Sequence, residues 1–104
     1  MSSKIPLAVI GCGIIGELHI SGYTDDPHAE VAAICDIDEA RLNLIGDKYR
    51  IARRFTHIGK LLREQDIAAV DVCLHNNLHA PVSIAALEAG KDVYCEKPMA
   101  GTYA

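Results

Sequence analysis

Apolar residues in this chain come in short continuous runs, separated by stretches in which they recur every three or four positions. Ile5-Pro6-Leu7-Ala8-Val9-Ile10 reads as a strand buried on both faces, and Ile14 to Tyr23 as the helix after it. Asp25-Asp26-Pro27 breaks that helix, and Val31-Ala32-Ala33-Ile34-Cys35 is a second strand ending at Asp36. Asp38 is placed to cap a helix carrying Leu42, Ile45 and Tyr49 at helical spacing. A short third strand is expected around Arg54 to Thr56, and a brief helix at Ile58, Leu61 and Leu62. Ala69-Val70-Asp71-Val72-Cys73-Leu74 is a fourth strand, followed by a loop from His75 to His79. The next helix has Pro81 in its first turn and stops at Gly90, and Asp92-Val93-Tyr94-Cys95 is the fifth strand.

Strand and helix alternate with short connections, which predicts an α/β fold with a doubly wound parallel sheet of Rossmann type. Right-handed crossovers order the strands 3-2-1-4-5, so the loops after strands one and four flank the switch point where ligands bind. The 104 residues suffice for one small domain.

Composition narrows the functional classes. Ten Lys and Arg against 14 Asp and Glu give a net charge of −4, which disfavours nucleic acid as a partner. Arg50, Arg53 and Arg54 form the one basic patch and read as a solvated loop. No apolar run approaches the roughly 18 residues that span a bilayer, so no membrane partner is expected, and the localisation expected is cytoplasmic. Cys12, Cys35, Cys73 and Cys95 are far apart and read as reduced, small hydrophobes.

Gly11-Cys12-Gly13-Ile14-Ile15-Gly16 has the spacing G-x-G-x-x-G between the first strand and its helix. There the first glycine permits a tight turn, the second lets backbone approach a pyrophosphate, and the third lets helix and strand pack closely. The helix N-terminus then favours the anion. Asp36, 20 residues after Gly16 at the end of the second strand, stands where a carboxylate accepts from the adenosine ribose hydroxyls. Its charge opposes a 2′-phosphate, so NAD is expected as cofactor, with NADP possible because Arg41 is near.

Glu96 and Lys97 leave the fifth strand on the same carboxyl edge as the glycine loop. A lysine there can hydrogen-bond a substrate hydroxyl and stabilise negative charge developing on its oxygen. His75 and His79 are four apart, with Cys12 or Cys95 as a conceivable third ligand, but His75 precedes the helix and a zinc site needs three convergent protein ligands. No metal site is expected.

Taken together, the glycine loop with His19 beyond it, Asp36, Asn77-Leu78-His79-Ala80-Pro81, Ala85-Ala86-Leu87-Glu88-Ala89-Gly90-Lys91 and Glu96-Lys97-Pro98-Met99-Ala100 resemble a known domain. It is the N-terminal NAD(P)-binding domain of the glucose-fructose oxidoreductase, inositol dehydrogenase and MocA (Gfo/Idh/MocA) family, and the resemblance covers essentially the whole chain.

The resemblance implies hydride transfer between nicotinamide and a hydroxyl-bearing carbon of a sugar, an inositol or a related small molecule. It implies that Lys97 contacts substrate and nicotinamide, that Glu96 holds it, that Asn77 lies beside the cofactor, and that His79 is near the site. His19 is expected to pack under the glycine loop. Where the family usually has Thr-Pro-Asn, this chain has His75-Asn76-Asn77, so only Asn77 carries over.

Relatives continue into a second, sheet-rich domain that supplies most of the substrate pocket and the oligomer contacts. The expectation is therefore that residues 1–104 are a dinucleotide-binding domain, a fragment or truncation of a longer enzyme, catalytically incomplete and oligomeric only with the second domain. Two alternatives carry a different function: an NAD-dependent glycoside hydrolase or lyase using transient oxidation, and a non-catalytic NAD-binding module.

Overall fold

The computed structural model describes residues 4–74 and 76–95, with the backbone alone described at 76–79 and 95. Among them, β1 (Ile5–Ile10), β2 (Ala29–Cys35), β3 (Arg54–Phe55), β4 (Ala69–Val72) and β5 (Asp92–Cys95) form one parallel sheet. Its order is β3-β2-β1-β4-β5, as the crossover rule predicts. The helices are α1 (Ile14–Thr24), α2 (Glu39–Tyr49), α3 (Ile58–Leu62) and α4 (Asn76–Glu88).

The continuous apolar runs follow from burial on both sides of the sheet. Leu7 and Val9 of β1 enter one core with Ile20 of α1 and Leu42 and Ile45 of α2. Ala8 and Ile10 enter the other, with Leu61 of α3 and Val82 and Ala86 of α4. The alternation continues in β4, where Val70 and Val72 join the second core and Ala69 the first. Asp71 is therefore aimed toward the α1 side.

Local signals end the helices. The Asp38 carboxylate accepts from the Arg41 N–H at 3.2 Å, a cap worth about 1 kcal/mol. Gly90, at φ 83°, lets the chain turn after α4 and enter β5.

Three expectations need correction. β2 begins at Ala29, because that residue already pairs with Ile5 of β1. α4 begins at Asn76 rather than after His79, which puts Pro81 inside the helix. The first N–H groups of a helix need no intrahelical acceptor, so Asn76 to His79 join it freely, and Pro81 forgoes a single bond, to the carbonyl of Asn77. Finally, the basic patch is tied down. Arg53 donates to Asp66 at 2.7 Å and to Glu64, and Arg54 donates to the Ile51 carbonyl at 2.8 Å and to Asp47 at 2.9 Å. A Cβ at Gly46 would collide with the Arg54 guanidinium, so glycine there lets the arginine lie against α2.

No helix among the described residues is long and apolar enough to cross a membrane.

Lys91, only 6% exposed, donates to the carbonyls of Glu64 at 2.6 Å and Ile67 at 2.8 Å and so secures the connection into β4. Lys91→Met keeps much of the volume but leaves both carbonyls without the ammonium, for an expected cost of about 1–3 kcal/mol. Urea denaturation should show a lower midpoint at constant m-value, and an unmoved midpoint would mean that water replaces the ammonium without loss.

Candidate functional site

The glycine loop leaves the carboxyl end of the central strand, and its three glycines meet different surroundings. Gly11 adopts φ 101°, and a Cβ there would lie 2.5 Å from the Cys73 carbonyl oxygen. A Cβ on Gly16 would overlap the Gly11 carbonyl oxygen. Gly13 is the opposite case, since its Cβ would meet nothing within 4 Å. The fold itself demands glycine at 11 and 16, whereas at 13 glycine keeps open a space that a side chain would fill.

α1 starts directly after Gly13, and its first backbone bond runs from the Glu17 N–H to the Gly13 carbonyl at 2.9 Å. No side chain caps this end, so the N–H groups of the first turn are available to an anion. Ile14, 78% exposed, and half-exposed Ile15 flank that end.

Asp36 lies against the loop. One carboxylate oxygen accepts from the Cys12 N–H at 2.8 Å and the other from the Asp38 N–H at 2.9 Å. Arg41 reaches the loop from α2, donating through Nε to the Cys12 carbonyl at 2.6 Å and through Nη2 to Glu17 at 3.1 Å. Glu17 also accepts from Lys48 at 2.6 Å and Tyr49 at 3.0 Å, and these bonds hold its carboxyl below the usual carboxylate range.

Beneath the loop lies a polar cluster in an apolar setting. Asp71 of β4 is 1% exposed, and one of its oxygens receives the Tyr23 hydroxyl at 2.5 Å and contacts His19 Nδ1 at 2.6 Å. The Cys73 thiol donates to the other oxygen at 3.5 Å and lies 3.3 Å from the same imidazole nitrogen. Burial, then the bond to Asp71, pushes the Tyr23 hydroxyl far above its ordinary value, so it stays a donor. His19, Asp71 and Cys73 are the one grouping among the described residues with metal-ligand chemistry. The 2.6 Å between nitrogen and oxygen is nevertheless a hydrogen bond, since two ligands of one tetrahedral zinc stand roughly 3.3 Å apart at metal–ligand distances of about 2.0 Å.

The structure thus brings Gly11, Cys12, Gly13, Ile14, Ile15, Gly16 and Asp36 together at one edge. Asn77 and His79 fall in the first turn of α4, with side chains outside the described residues, as are Glu96, Lys97 and His75 altogether. The sequence reading passed over Asp71 and Tyr23. Its available signal was a charged residue in the middle of an apolar strand.

The model of an oxidoreductase family with an NAD-binding Rossmann fold, Gfo/Idh/MocA, matches residues 5–104. The chain belongs to this family. It is 38% identical over 98 residues to inositol 2-dehydrogenase of Salmonella typhimurium, covering 92% of this chain and 29% of that protein. To D-apiose dehydrogenase of Paraburkholderia graminis it is 32% identical over 97 residues, covering 93% and 26%. Among solved structures, scyllo-inositol dehydrogenase from Lactobacillus casei with bound NAD(H) and scyllo-inositol superposes with a TM-score of 0.84 at 26% identity, covering 92% of this chain and 28% of that one. The chain thus spans under a third of the length of these relatives. Within the Gfo/Idh/MocA family it is the NAD-binding domain, and its residues fit that cofactor: the space beside Gly13 is open, α1 has an uncapped N-terminus, and a carboxylate stands at the loop.

Two expectations follow. Gly13→Val should leave thermal unfolding nearly unchanged while weakening NADH binding, whereas Gly16→Ala should lower the melting temperature itself; NADH titration and calorimetry separate them, and unaltered affinity in Gly13→Val would exclude this side of the loop as the approach for the pyrophosphate. The second concerns the thiols beside the loop. Burial, reinforced by the Asp36 charge, pushes the Cys12 thiol up to about 12 and the Cys35 thiol up to about 11, from an ordinary value of 9.0. The unfolded chain therefore loses these protons first, and stability should fall as the pH rises from about 9 toward the folded-state values. Urea midpoints across that range measure the fall, and it should flatten in Cys35→Ala.

Proposed function

We propose that the protein is an NAD-dependent dehydrogenase acting on a hydroxyl-bearing carbon of an inositol, a sugar or a related polyol. Residues 1–104 would serve as its dinucleotide-binding domain, with the substrate domain and the oligomer contacts in the remainder of the protein. The dehydrogenases to which the chain is similar support the substrate class. The acidic balance of the chain and its lack of an apolar membrane-spanning helix among the described residues support a small-molecule partner and a cytoplasmic setting.

The observation that carries the cofactor reading is the placement of Asp36. Each of its oxygens accepts one backbone N–H, from Cys12 and Asp38, which leaves further lone pairs for the two ribose hydroxyls. A 2′-phosphate would meet that negative charge. Arg41, which reaches the loop, is committed to the Cys12 carbonyl and Glu17. NAD is therefore favoured over NADP.

When bound, NAD supplies the hydride acceptor. The glycine loop and the first turn of α1 hold the pyrophosphate, with Ile14 and Ile15 shielding it. At the other end of the crevice β5 runs parallel to β4 and ends at Cys95, so the chain leaves the sheet at the loop's edge. We assign Lys97 to the substrate oxygen, where an ammonium stabilises negative charge and can hold or release a proton. Glu96 steadies it, Asn77 flanks the cofactor, and His79 stands near the substrate.

Calorimetric titration with NADH and NADPH tests the cofactor reading: NADH should bind more tightly by on the order of tenfold or more, and equal affinities would remove the role given to Asp36. In the intact protein, Lys97→Ala should keep NADH affinity and lose about a hundredfold in kcat with an inositol or sugar. Undiminished turnover would overturn the assignment of Lys97. Product release without net NADH would replace a dehydrogenase by a hydrolase or lyase that oxidises its substrate transiently.

A further inference from the structure

The Asp71 cluster takes no part in the reading above, yet it is costly to bury. A carboxylate at 1% exposure is tolerable only if its lone pairs are filled, and here the donors come mainly from one helix. His19 and Tyr23 are four residues apart on α1 and so share a face, and both reach the same oxygen of Asp71. Cys73, two residues on and just past the end of β4, packs on the same side of the sheet and contacts both the other oxygen and the imidazole.

The residue that follows β4 is also the wall of the glycine loop. The Cys73 carbonyl is what a Cβ on Gly11 would strike, and the Cys73 Cβ would stand 3.8 Å from a Cβ on Gly16. The Cys73 N–H, for its part, donates to the Ile10 carbonyl at 2.8 Å, one residue before the loop. The chain leaving β4 therefore touches the nucleotide loop through the Cys73 backbone, and Asp71 within β4 grips α1 at His19 in its second turn and at Tyr23 in its third. These two points fix the direction in which the helix presents its first-turn N–H groups.

We propose that Asp71, acting through His19, is a positioning residue for the dinucleotide: the buried hydrogen bond from α1 to β4 sets the aim of the helix N-terminus at the pyrophosphate. Neither residue touches the cofactor in this scheme. The proposal rests on the cofactor reading above. It requires that breaking the bond cost affinity for NADH beyond any cost in stability.

The experiment measures NADH affinity by fluorescence and thermal stability by calorimetry, in the intact protein, for four forms. Wild type provides the reference. His19→Ala removes the donor, His19→Asn returns an N–H near the position of Nδ1, and Lys91→Met lowers stability far from the loop. The expected result is a loss of NADH affinity on the order of tenfold in His19→Ala, recovery of most of it in His19→Asn, and wild-type affinity in Lys91→Met despite its lower melting temperature. Should the alanine variant not fold, His19→Leu fills the volume of the ring without a donor and takes its place.

Wild-type affinity in the donorless variant overturns the proposal. It is also overturned if His19→Asn binds no better than that variant, or if Lys91→Met loses affinity in step with stability. Absence of NADH binding by the wild type would overturn the cofactor reading itself, which separates the two failures.

Discussion

The nucleotide loop depends on three stretches of backbone meeting with no side chain between them. Gly11 lies against the carbonyl of Cys73, and Gly16 lies against the carbonyl of Gly11, so the residue that follows β4, the turn after β1 and the first turn of α1 are stacked in direct contact. This works only because β1 is the central strand. Its end is tied on both sides, by the Gly11 N–H to the Cys35 carbonyl at 2.8 Å and by the Cys73 N–H to the Ile10 carbonyl at 2.8 Å. The order β3-β2-β1-β4-β5 is thus what makes the turn possible, and the two cores on either face of the sheet hold that order.

A second constraint is electrostatic. The domain carries a net charge of −4 and places Asp36 and Glu17 beside the site of an anionic cofactor. Overall charge cannot be what attracts the ligand. Glu17 is instead paired where it stands with Arg41 and Lys48, while Asp36 keeps its charge and accepts from two backbone N–H groups. What remains at the open end is the positive end of α1 and its uncapped N–H groups, which act over a short range and favour a group already seated. Arg41 links the halves of this arrangement, since it binds the loop carbonyl and Glu17 at once.

Most of this fold was legible in the sequence, because its signals are local. Mainly apolar runs of four to six residues marked four of the strands, Asp38 and Gly90 marked helix ends, and the spacing of Gly11, Gly13 and Gly16 marked the turn. Where the sequence misled, a residue preference gave way to its surroundings. His75-Asn76-Asn77 has the composition of a loop, but the first turn of a helix accepts any residue whose N–H needs no partner, so α4 extends back to Asn76. The arginines at 53 and 54 look solvated in sequence, and only the folding of α2 and of the segment before β4 against them supplies their acids. The contact of His19 with Asp71 spans 52 positions, so no spacing rule reveals it. The acid inside an otherwise apolar strand was the visible half of that pair.

The two buried charged residues among the described residues, Lys91 and Asp71, differ in a way that bears on function. Lys91 donates to main-chain carbonyls, which stay in place whatever side chains surround them, so its burial secures the fold and nothing more specific. Asp71 is satisfied by side chains carried on α1 and by its neighbour Cys73. Its burial is tolerable only while α1 sits where those donors reach it. The cost of an unsatisfied carboxylate in the core thereby falls on any displacement of the helix whose other end presents the loop. A buried acid answered by backbone would stabilise the domain equally well, but it would leave the helix free to shift. Answered by α1, it makes the position of the nucleotide loop a condition of the core.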